Sequence, residues 1–225
     1  MKHLRQFEAI VFDMDGLLLD TERIALSVFL ETCDQMGVCG QEHLFIRCIG
    51  TNQAIAREVL KAGLQGQVDH LVFEQVWDGK YADRISRGPI PMKEGAAELV
   101  ERIAALRIPA AVATSTRTAR AQEKLRKSGI LARFQAVVGG DQVQNGKPAP
   151  DIYLRAAEIL NARAEACLAL EDSENGVRAA LGAGMTVVQI PDLVQPSTDL
   201  LALGHIVLRS LSDVASYPFP GWVPR

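Results

Sequence analysis

Acidic, hydroxyl and lysine side chains recur in the sequence where short apolar runs end. They are Asp13, Asp15, Thr114, Ser115, Glu171 and Asp172, and Lys147 follows on the loop after the third run. Each of these residue types also forms turns after strands, so one position alone says little. Four carboxylates gathered at one place repel each other unless a cation lies among them, and an all-oxygen ligand set favours Mg²⁺. Together the positions indicate a magnesium site.

The spacing of the first two acids fits chemistry on a phosphate ester. One carboxylate oxygen of Asp13 can bind the metal while the other attacks phosphorus and forms an aspartyl-phosphate. Asp15 can protonate the departing alkoxide and later take a proton from the water that hydrolyses the acyl-phosphate. This interpretation makes Asp13 the nucleophile and Asp15 the acid and base.

The remaining positions can bind the phosphate and the metal. Thr114 and the amides around Ser115 can donate to phosphoryl oxygens, and Lys147 supplies a compact positive charge. Asp172 would complete the metal site, with Glu171 as a helper. Mg²⁺ together with a lysine commonly balances the charge that develops in phosphoryl transfer.

These side chains need a parallel sheet to bring them together. Continuous apolar runs, rather than alternating ones, predict strands buried on both faces. The runs are Glu8–Phe12, Ile108–Ala113, Ala136–Val138, Cys167–Leu170 and Thr186–Ile190. Segments with helical period separate them from about residue 93 to residue 190, so we expect an α/β fold with a Rossmann-like, doubly wound parallel sheet.

One segment interrupts this alternation. From about Glu22 to Arg87 the apolar residues recur at helical spacing with no convincing strand among them. We therefore predict a catalytic core formed by residues 1–21 and 88–225 and an inserted all-helical cap domain formed by residues 22–87. The Pro-rich segment Gly88–Pro91 is suited to a hinge. Tyr217–Arg225 contains three prolines, and we predict no regular structure for it.

The composition restricts the partners. With a net charge of -3 and 48% hydrophobic residues, the chain has no electrostatic reason to bind nucleic acid or an anionic membrane. Its apolar runs are too short to span a bilayer, and its four cysteines form no C-x-x-C pair. We expect a cytoplasmic protein, a monomer or weak homodimer, that acts on a small phosphorylated metabolite.

Four sequence motifs together resemble those of the haloacid dehalogenase-like hydrolase superfamily. They are Phe12–Glu22, Ala113–Ser115, Gly146–Asp151 and Leu170–Gly176, and they occur in the order typical of that family. The resemblance covers nearly the whole chain and includes a helical insertion in the position of the small cap. It implies a Rossmann-like core, Mg²⁺, and phosphate-ester hydrolysis through a phospho-aspartate. It also implies that Asp15 binds the metal through its backbone carbonyl.

Within that family, the chain is similar to phosphatases of pseudouridine 5'-phosphate and of small sugar phosphates. The alternative is a β-phosphoglucomutase-like sugar phosphomutase. Those mutases have an arginine shortly after a cap glycine, whereas Thr51, Asn52 and Gln53 follow Gly50 here. They also have a histidine where this chain has Ala25. These differences favour water as the second acceptor of the phosphoryl group.

Two further points stay open. Gly50 and Asn52 are candidate substrate-binding residues because cap loops often carry specificity. A phosphorylatable receiver domain also gathers aspartates, threonine and lysine around Mg²⁺, but it has no cap and takes phosphate after its third strand. The acidic pair after the first strand favours an enzyme.

Overall fold

The computed structural model describes residue 4, residues 6–51 and residues 53–218. Six strands form one parallel sheet: β1 Ala9–Phe12, β2 Ala110–Thr114, β3 Ala136–Gly139, β4 Cys167–Glu171, β5 Thr186–Gln189 and β6 Ile206–Val207. Their order is β3-β2-β1-β4-β5-β6, with parallel pairing throughout. The chain reverses its direction of winding between β1 and β4, and ligands of such sheets bind beyond the strand ends at this point.

The helices of the chain fall into two groups. The first group lies between β1 and β2: α1 Thr21–Met36, α2 Glu42–Cys48, α3 Gln53–Gly63, α4 His70–Ser86 and α5 Ala96–Ala105. The second group alternates with the later strands: α6 Thr118–Lys127, α7 Asp151–Ile159, α8 Glu174–Gly182, α9 Thr198–Leu201 and α10 Leu211–Val214. This alternation produces a doubly wound α/β fold, as the apolar runs predict.

Side chains of the central strand point alternately to two apolar layers. Ile10 and Phe12 pack in a cluster with α5, α6 and α10, whereas Ala9 and Val11 pack in a cluster with α7 and α8. All four residues are fully buried. A strand covered on both faces can be apolar at every position, which explains the continuous runs.

Helices α1 to α4 have an apolar cluster of their own. The rings of Phe29, Phe45 and Phe73 pack together, and Trp77 packs edge-on against Phe29. The indole of Trp77 donates to the carbonyl of Ala25 at 3.2 Å, which fixes the ring. The four helices thus bury apolar side chains among themselves, in keeping with a separate module, and the boundary at residues 22 and 87 stays a prediction.

Two chain segments that run side by side connect these helices to the sheet. Leu19 pairs with Met92 in an antiparallel bridge, and the amide of Asp20 donates to the carbonyl of Pro91 at 2.9 Å. Close by, the Asp192 carboxylate, with a side chain that is 2% exposed, accepts from Arg23 at 2.5 Å and from Lys93 at 2.6 Å. The hinge function of the Pro-rich segment stays a prediction.

The strands found agree with the expected ones to within about two residues at each end. Strand β6 is additional to the predicted strands. We did not predict it because its two residues form an apolar run that is too short to recognise in the sequence. Within the described part of the chain, every helix is too short or too polar to traverse a bilayer. Of the Pro-rich terminal segment, residues 219–225 lie outside the described residues.

Candidate active site

A cavity of about 290 Å³ opens where the loops after β1, β2 and β4 meet α1 to α4. Seven of the predicted site residues line it: Asp13, Asp15, Thr114, Ser115, Lys147, Asp172 and Gly50. Carboxyl ends of neighbouring parallel strands meet at one sheet edge, which brings these distant sequence positions together. Asn52 lies outside the described residues, and Glu171 lies directly behind the cavity wall.

Asp13 and Lys147 form a buried ion pair at the centre of the site. Asp13 is the first residue after β1, and its amide donates to the Leu170 carbonyl in β4 at 2.9 Å. Lys147 Nζ lies 2.5 Å from Asp13 Oδ1, and its side chain is only 1% exposed. Burial raises the pKa of Asp13 to about 8 despite the lysine. The pKa of Lys147 is raised because its two carboxylate partners outweigh its burial.

Glu171, the last residue of β4, is held by hydrogen-bond donors on both of its oxygens. Oε1 accepts from Lys147 Nζ at 2.5 Å and from the Tyr153 hydroxyl at 2.6 Å. Oε2 accepts from the amides of Asp172 and Ser173 and from the Ser173 hydroxyl. Because all these donors face the carboxylate, Glu171 fixes Lys147 and the loop after β4.

The donor set of the site fits a divalent cation. Asp13, Glu171 and Asp172 each place a carboxylate oxygen within 4.8 Å of the others, and all three side chains are buried. Burial and the neighbouring carboxylates of Asp13 and Glu171 raise the pKa of Asp172 far above its usual range. One lysine faces three carboxylates, so a hard cation with oxygen ligands matches the excess charge.

Gly16 makes room for Asp172. Its φ is +87°, and a Cβ at this position would lie 2.3 Å from Asp172 Oδ2. A larger residue would therefore be strained in its backbone and would displace the carboxylate.

The carboxylate of Asp15 has three hydrogen-bond donors. Oδ1 accepts from the Thr21 hydroxyl and from Lys124 Nζ, both at 2.6 Å, and Oδ2 accepts from the Thr116 hydroxyl at 2.7 Å. Burial alone would raise the pKa of Asp15, but Lys124 and the two hydroxyls outweigh it and lower the pKa. In this arrangement the carboxylate is ionised, the form that accepts a proton.

The loop after β2 presents hydroxyls and amides to the cavity. The Thr114 hydroxyl accepts from the amide of Thr116 at 3.1 Å, which shapes the turn. Ser115 Oγ is buried, and it has no hydrogen-bond partner among the described residues. A buried hydroxyl without a partner on a cavity wall fits a ligand oxygen.

Gly50 connects the helical module to the catalytic loops. It follows α2 with φ +70°, and a Cβ there would lie 2.6 Å from Ser173 Oγ. Ser173 is the residue after Asp172. The close approach places the α2–α3 loop directly beside the carboxylate cluster.

The remaining wall contains residues that the motifs do not reveal. Glu74, Trp77, Asp78 and Tyr81 come from α4, Arg117 directly precedes α6, and Arg120 lies in its first turn. Glu22 on α1, the last residue of the first motif, also lines the cavity. Burial and the charge of Asp15 together raise the pKa of Glu22 to about 7. The cavity therefore combines acidic and aromatic groups from α1 and α4 with two arginines at the N-terminal end of α6.

The sequence contains one indication of a site residue that we did not predict, Lys124. Lys124 lies at helical spacing from Ala121 and Leu125, which are both buried, so it belongs to the apolar face of α6. A lysine on such a face needs a charged partner. Tyr153 likewise lies on the buried face of α7, but nothing in the sequence reveals its contact with Glu171.

Comparison with known proteins identifies the family of this site. Residues 10–190 match the model of the haloacid dehalogenase-like hydrolase family. The chain belongs to this family. The family model covers all four motifs and the helices between the first two, as the resemblance implies.

Relatives within the haloacid dehalogenase-like hydrolases extend over nearly the whole chain. A phosphorylated carbohydrates phosphatase of Thermotoga maritima is 35% identical over 92% of this chain and 96% of its own length. A Drosophila melanogaster protein named "Probable pseudouridine-5'-phosphatase" is 34% identical over 94% of this chain and 93% of its own. These names confirm the predicted enzyme class, a phosphoric monoester hydrolase.

A solved structure within the family has the same fold. CbbY from Rhodobacter sphaeroides, in complex with xylulose-(1,5)bisphosphate, superposes with a TM-score of 0.73 at 27% identity. The match covers 92% of this chain and 96% of that one. It confirms the Rossmann-like core of the haloacid dehalogenase-like hydrolase.

Proposed function

We propose that this protein is a Mg²⁺-dependent phosphatase that hydrolyses a small phosphomonoester through an aspartyl-phosphate at Asp13. The substrate would be a sugar phosphate or a nucleotide-like ester such as pseudouridine 5'-phosphate, in the cytoplasm. The observation that carries the proposal is the buried contact of Asp13 with Lys147 inside a cavity lined by further carboxylates. The relatives named as phosphatases of carbohydrates and of pseudouridine 5'-phosphate support the substrate class.

The first step of the proposed reaction transfers the phosphoryl group to the enzyme. A carboxylate oxygen of Asp13 forms a bond to phosphorus as the bond from phosphorus to the ester oxygen breaks. Asp15, having taken up a proton, gives it to the departing alkoxide. Thr114, the Ser115 hydroxyl and Lys147 donate to the phosphoryl oxygens, and Lys147 also holds Asp13 in place.

Hydrolysis of the acyl-phosphate restores the enzyme. Water attacks phosphorus, Asp15 takes its proton, and the bond between phosphorus and Asp13 breaks to release inorganic phosphate. The products are one alcohol and one phosphate for each ester and water consumed.

Asp13, Asp172 and the backbone carbonyl of Asp15 would hold the metal. When bound, Mg²⁺ neutralises phosphoryl charge and keeps Asp13 ionised. Glu171 has donors on both oxygens, so we assign it to holding Lys147 and the loop after β4.

A substrate screen tests the proposal. Phosphate release would be measured with Mg²⁺ on pseudouridine 5'-phosphate, hexose and pentose phosphates and nucleotides, and compared by kcat/KM. We expect turnover of at least one ester by the wild type and by Asp34→Asn, an exposed control on α1. Asp13→Asn should release no phosphate, and retained release would show that the nucleophile is assigned wrongly.

One observation favours the mutase as a second candidate. Arg117 and Arg120 line the cavity on the side of α6, where they can attract a second anionic group. The relative CbbY was crystallised with a sugar bisphosphate. A mutase would interconvert sugar phosphates when primed with a bisphosphate and would release little net phosphate, whereas the phosphatase releases phosphate steadily without priming.

A further inference from the structure

A buried lysine connects the acid–base carboxylate to the helical module. Lys124 Nζ lies 2.6 Å from Asp15 Oδ1, and the Lys124 side chain is 9% exposed. On its other side, the same ammonium lies 5.3 Å from the ring centroid of Tyr81. Lys124 is on α6 of the core, whereas Tyr81 is on α4.

The surroundings of Lys124 differ from those of Lys127 on the same helix. Lys127, three residues further on, donates to the carbonyls of Ile85 and Ser86 and pairs with Glu123, away from the cavity. Lys124 instead projects into the interior together with Ala121 and Leu125. Burying an ammonium is costly unless a charged partner and further contacts compensate. Asp15 is that partner.

Tyr81 supplies the second contact of the ammonium. An aromatic face near a cation attracts it, and the attraction is stronger where water is excluded. The ring comes from α4, so the full set of Lys124 partners exists only while α4 packs against α6. Any movement of α4 away from α6 exchanges the ring for water.

We propose that Lys124 is a positioning residue for Asp15, and that Tyr81 makes this positioning depend on the packing of α4 against α6. Thr21, the first residue of α1, and Thr116 hold the same carboxylate, and Lys124 is the one of these three partners that also contacts the Tyr81 ring on α4. This inference rests on the proposed function, because it gives Asp15 the task of moving a proton to the leaving group.

The consequence of misplacing Asp15 depends on the leaving group. An alkoxide needs a proton as its bond to phosphorus breaks, whereas p-nitrophenolate departs without one. The value of kcat/KM reports steps up to the first irreversible one, here the transfer to Asp13. A positioning defect therefore slows alkyl phosphates selectively, whereas general damage to the fold slows all esters alike.

The experiment measures kcat/KM for p-nitrophenyl phosphate, phenyl phosphate and ribose 5-phosphate with Mg²⁺. Lys124→Met keeps the length of the side chain and removes its charge. We expect a loss of about 100-fold on ribose 5-phosphate, the scale of general acid catalysis, and less than about 5-fold on p-nitrophenyl phosphate. Phenyl phosphate should fall between them.

Three variants accompany Lys124→Met. Lys124→Arg keeps a charged donor and should recover most of the lost rate on ribose 5-phosphate. Tyr81→Leu removes the ring on α4 and should show the same selectivity with a smaller loss. Arg126→Met removes a positive charge from an exposed position of the same helix, and it should match the wild type on all three esters.

Each outcome decides the proposal. Equal losses on all esters for Lys124→Met, or an Arg126→Met variant with the same selective loss, would overturn it. If Lys124→Met does not fold, as judged by circular dichroism, Tyr81→Leu carries the test, and an unselective loss there overturns the role of Tyr81. A wild type that cleaves none of the esters refutes the proposed function itself, whereas an active wild type with a normal Lys124→Met refutes only the positioning role.

Discussion

The ammonium of Lys147 lies 2.5 Å from Oδ1 of Asp13, a residue 134 positions earlier in the chain. The pair is buried where the loops after β1 and β3 approach each other, and Glu171 accepts from the same ammonium. A single lysine thus orients the proposed nucleophile and is itself oriented by a carboxylate that ends β4. The chemistry and the local stability of this site depend on the same contacts.

Replacement of Lys147 should therefore affect both catalysis and folding. Lys147→Met leaves Asp13 and Glu171 without their cation, and breaking a buried pair typically costs about 3–5 kcal/mol. We expect the free energy of unfolding in urea to fall by that amount and kcat to fall by at least about 100-fold, since the positive charge at the phosphoryl group is lost. Unchanged kcat in a folded variant would remove Lys147 from the mechanism.

A substitution of Tyr153 tests the proposal that Glu171 orients Lys147. Tyr153→Phe removes only the hydroxyl that donates to Oε1 at 2.6 Å. We expect the free energy of unfolding to fall by about 1–3 kcal/mol, because a buried acceptor loses a donor. The value of kcat should fall while KM stays close to that of the wild type. A change in KM alone would argue that Tyr153 acts on substrate binding instead.

Two glycines with the same backbone conformation form a matched pair of variants. Gly37 and Gly50 have φ values of +71° and +70°, but a Cβ at Gly37 meets nothing within 4 Å, whereas one at Gly50 meets Ser173 at 2.6 Å. Alanine in the left-handed region costs about 1–2 kcal/mol at either position. Only Gly50→Ala should also lower kcat/KM, by about 10- to 100-fold, because it shifts the loop beside Asp172.

The comparison of these two variants separates backbone strain from displacement of the site. Thermal unfolding should show a decrease in Tm for both, and a larger one for Gly50→Ala because its Cβ also displaces Ser173. Equal kcat/KM values for Gly37→Ala and Gly50→Ala would contradict the role of the close approach between Gly50 and Ser173.

Removal of the metal should stop phosphate release and lower Tm, and Asp172 should be one of the ligands on which metal binding depends. Treatment with a chelator should abolish phosphate release, and added Mg²⁺ should restore it and raise Tm, because a ligand that binds only the folded state stabilises it. Asp172→Asn removes one carboxylate of the cluster and should lose the Mg²⁺-dependent increase in Tm. An increase equal to that of the wild type would place the metal elsewhere.

The sheet and its loops could be predicted because strands buried on both faces are apolar throughout and end in polar residues. Asp13 and Asp172 follow directly from this pattern, together with the rule that ligands bind beyond the carboxyl ends of parallel strands. Lys147 lies further along, on the loop after β3. Strand β6 escaped prediction because Ile206 and Val207 form too short a run to distinguish from a loop.

The contacts made by helical residues could not be predicted in the same way. Lys124 and Tyr153 lie on α6 and α7, and their partners Asp15 and Glu171 are distant in sequence. Helical spacing shows that a lysine lies on a buried face, but the identity of its partner depends on how the helix packs. Our assignment of Glu171 to holding Lys147, rather than to the metal, likewise rests on the positions of five hydrogen-bond donors that the sequence does not reveal.

Direct detection of a phosphorylated Asp13 tests the central claim most sharply. The enzyme would be mixed with a substrate ester and Mg²⁺, quenched in acid within one turnover, digested and analysed by mass spectrometry. We predict one phosphoryl group on the peptide that contains Asp13, labile to hydroxylamine, and none in Asp13→Asn. Steady phosphate release by the wild type with no phosphoryl group on that peptide at any quench time would contradict the account.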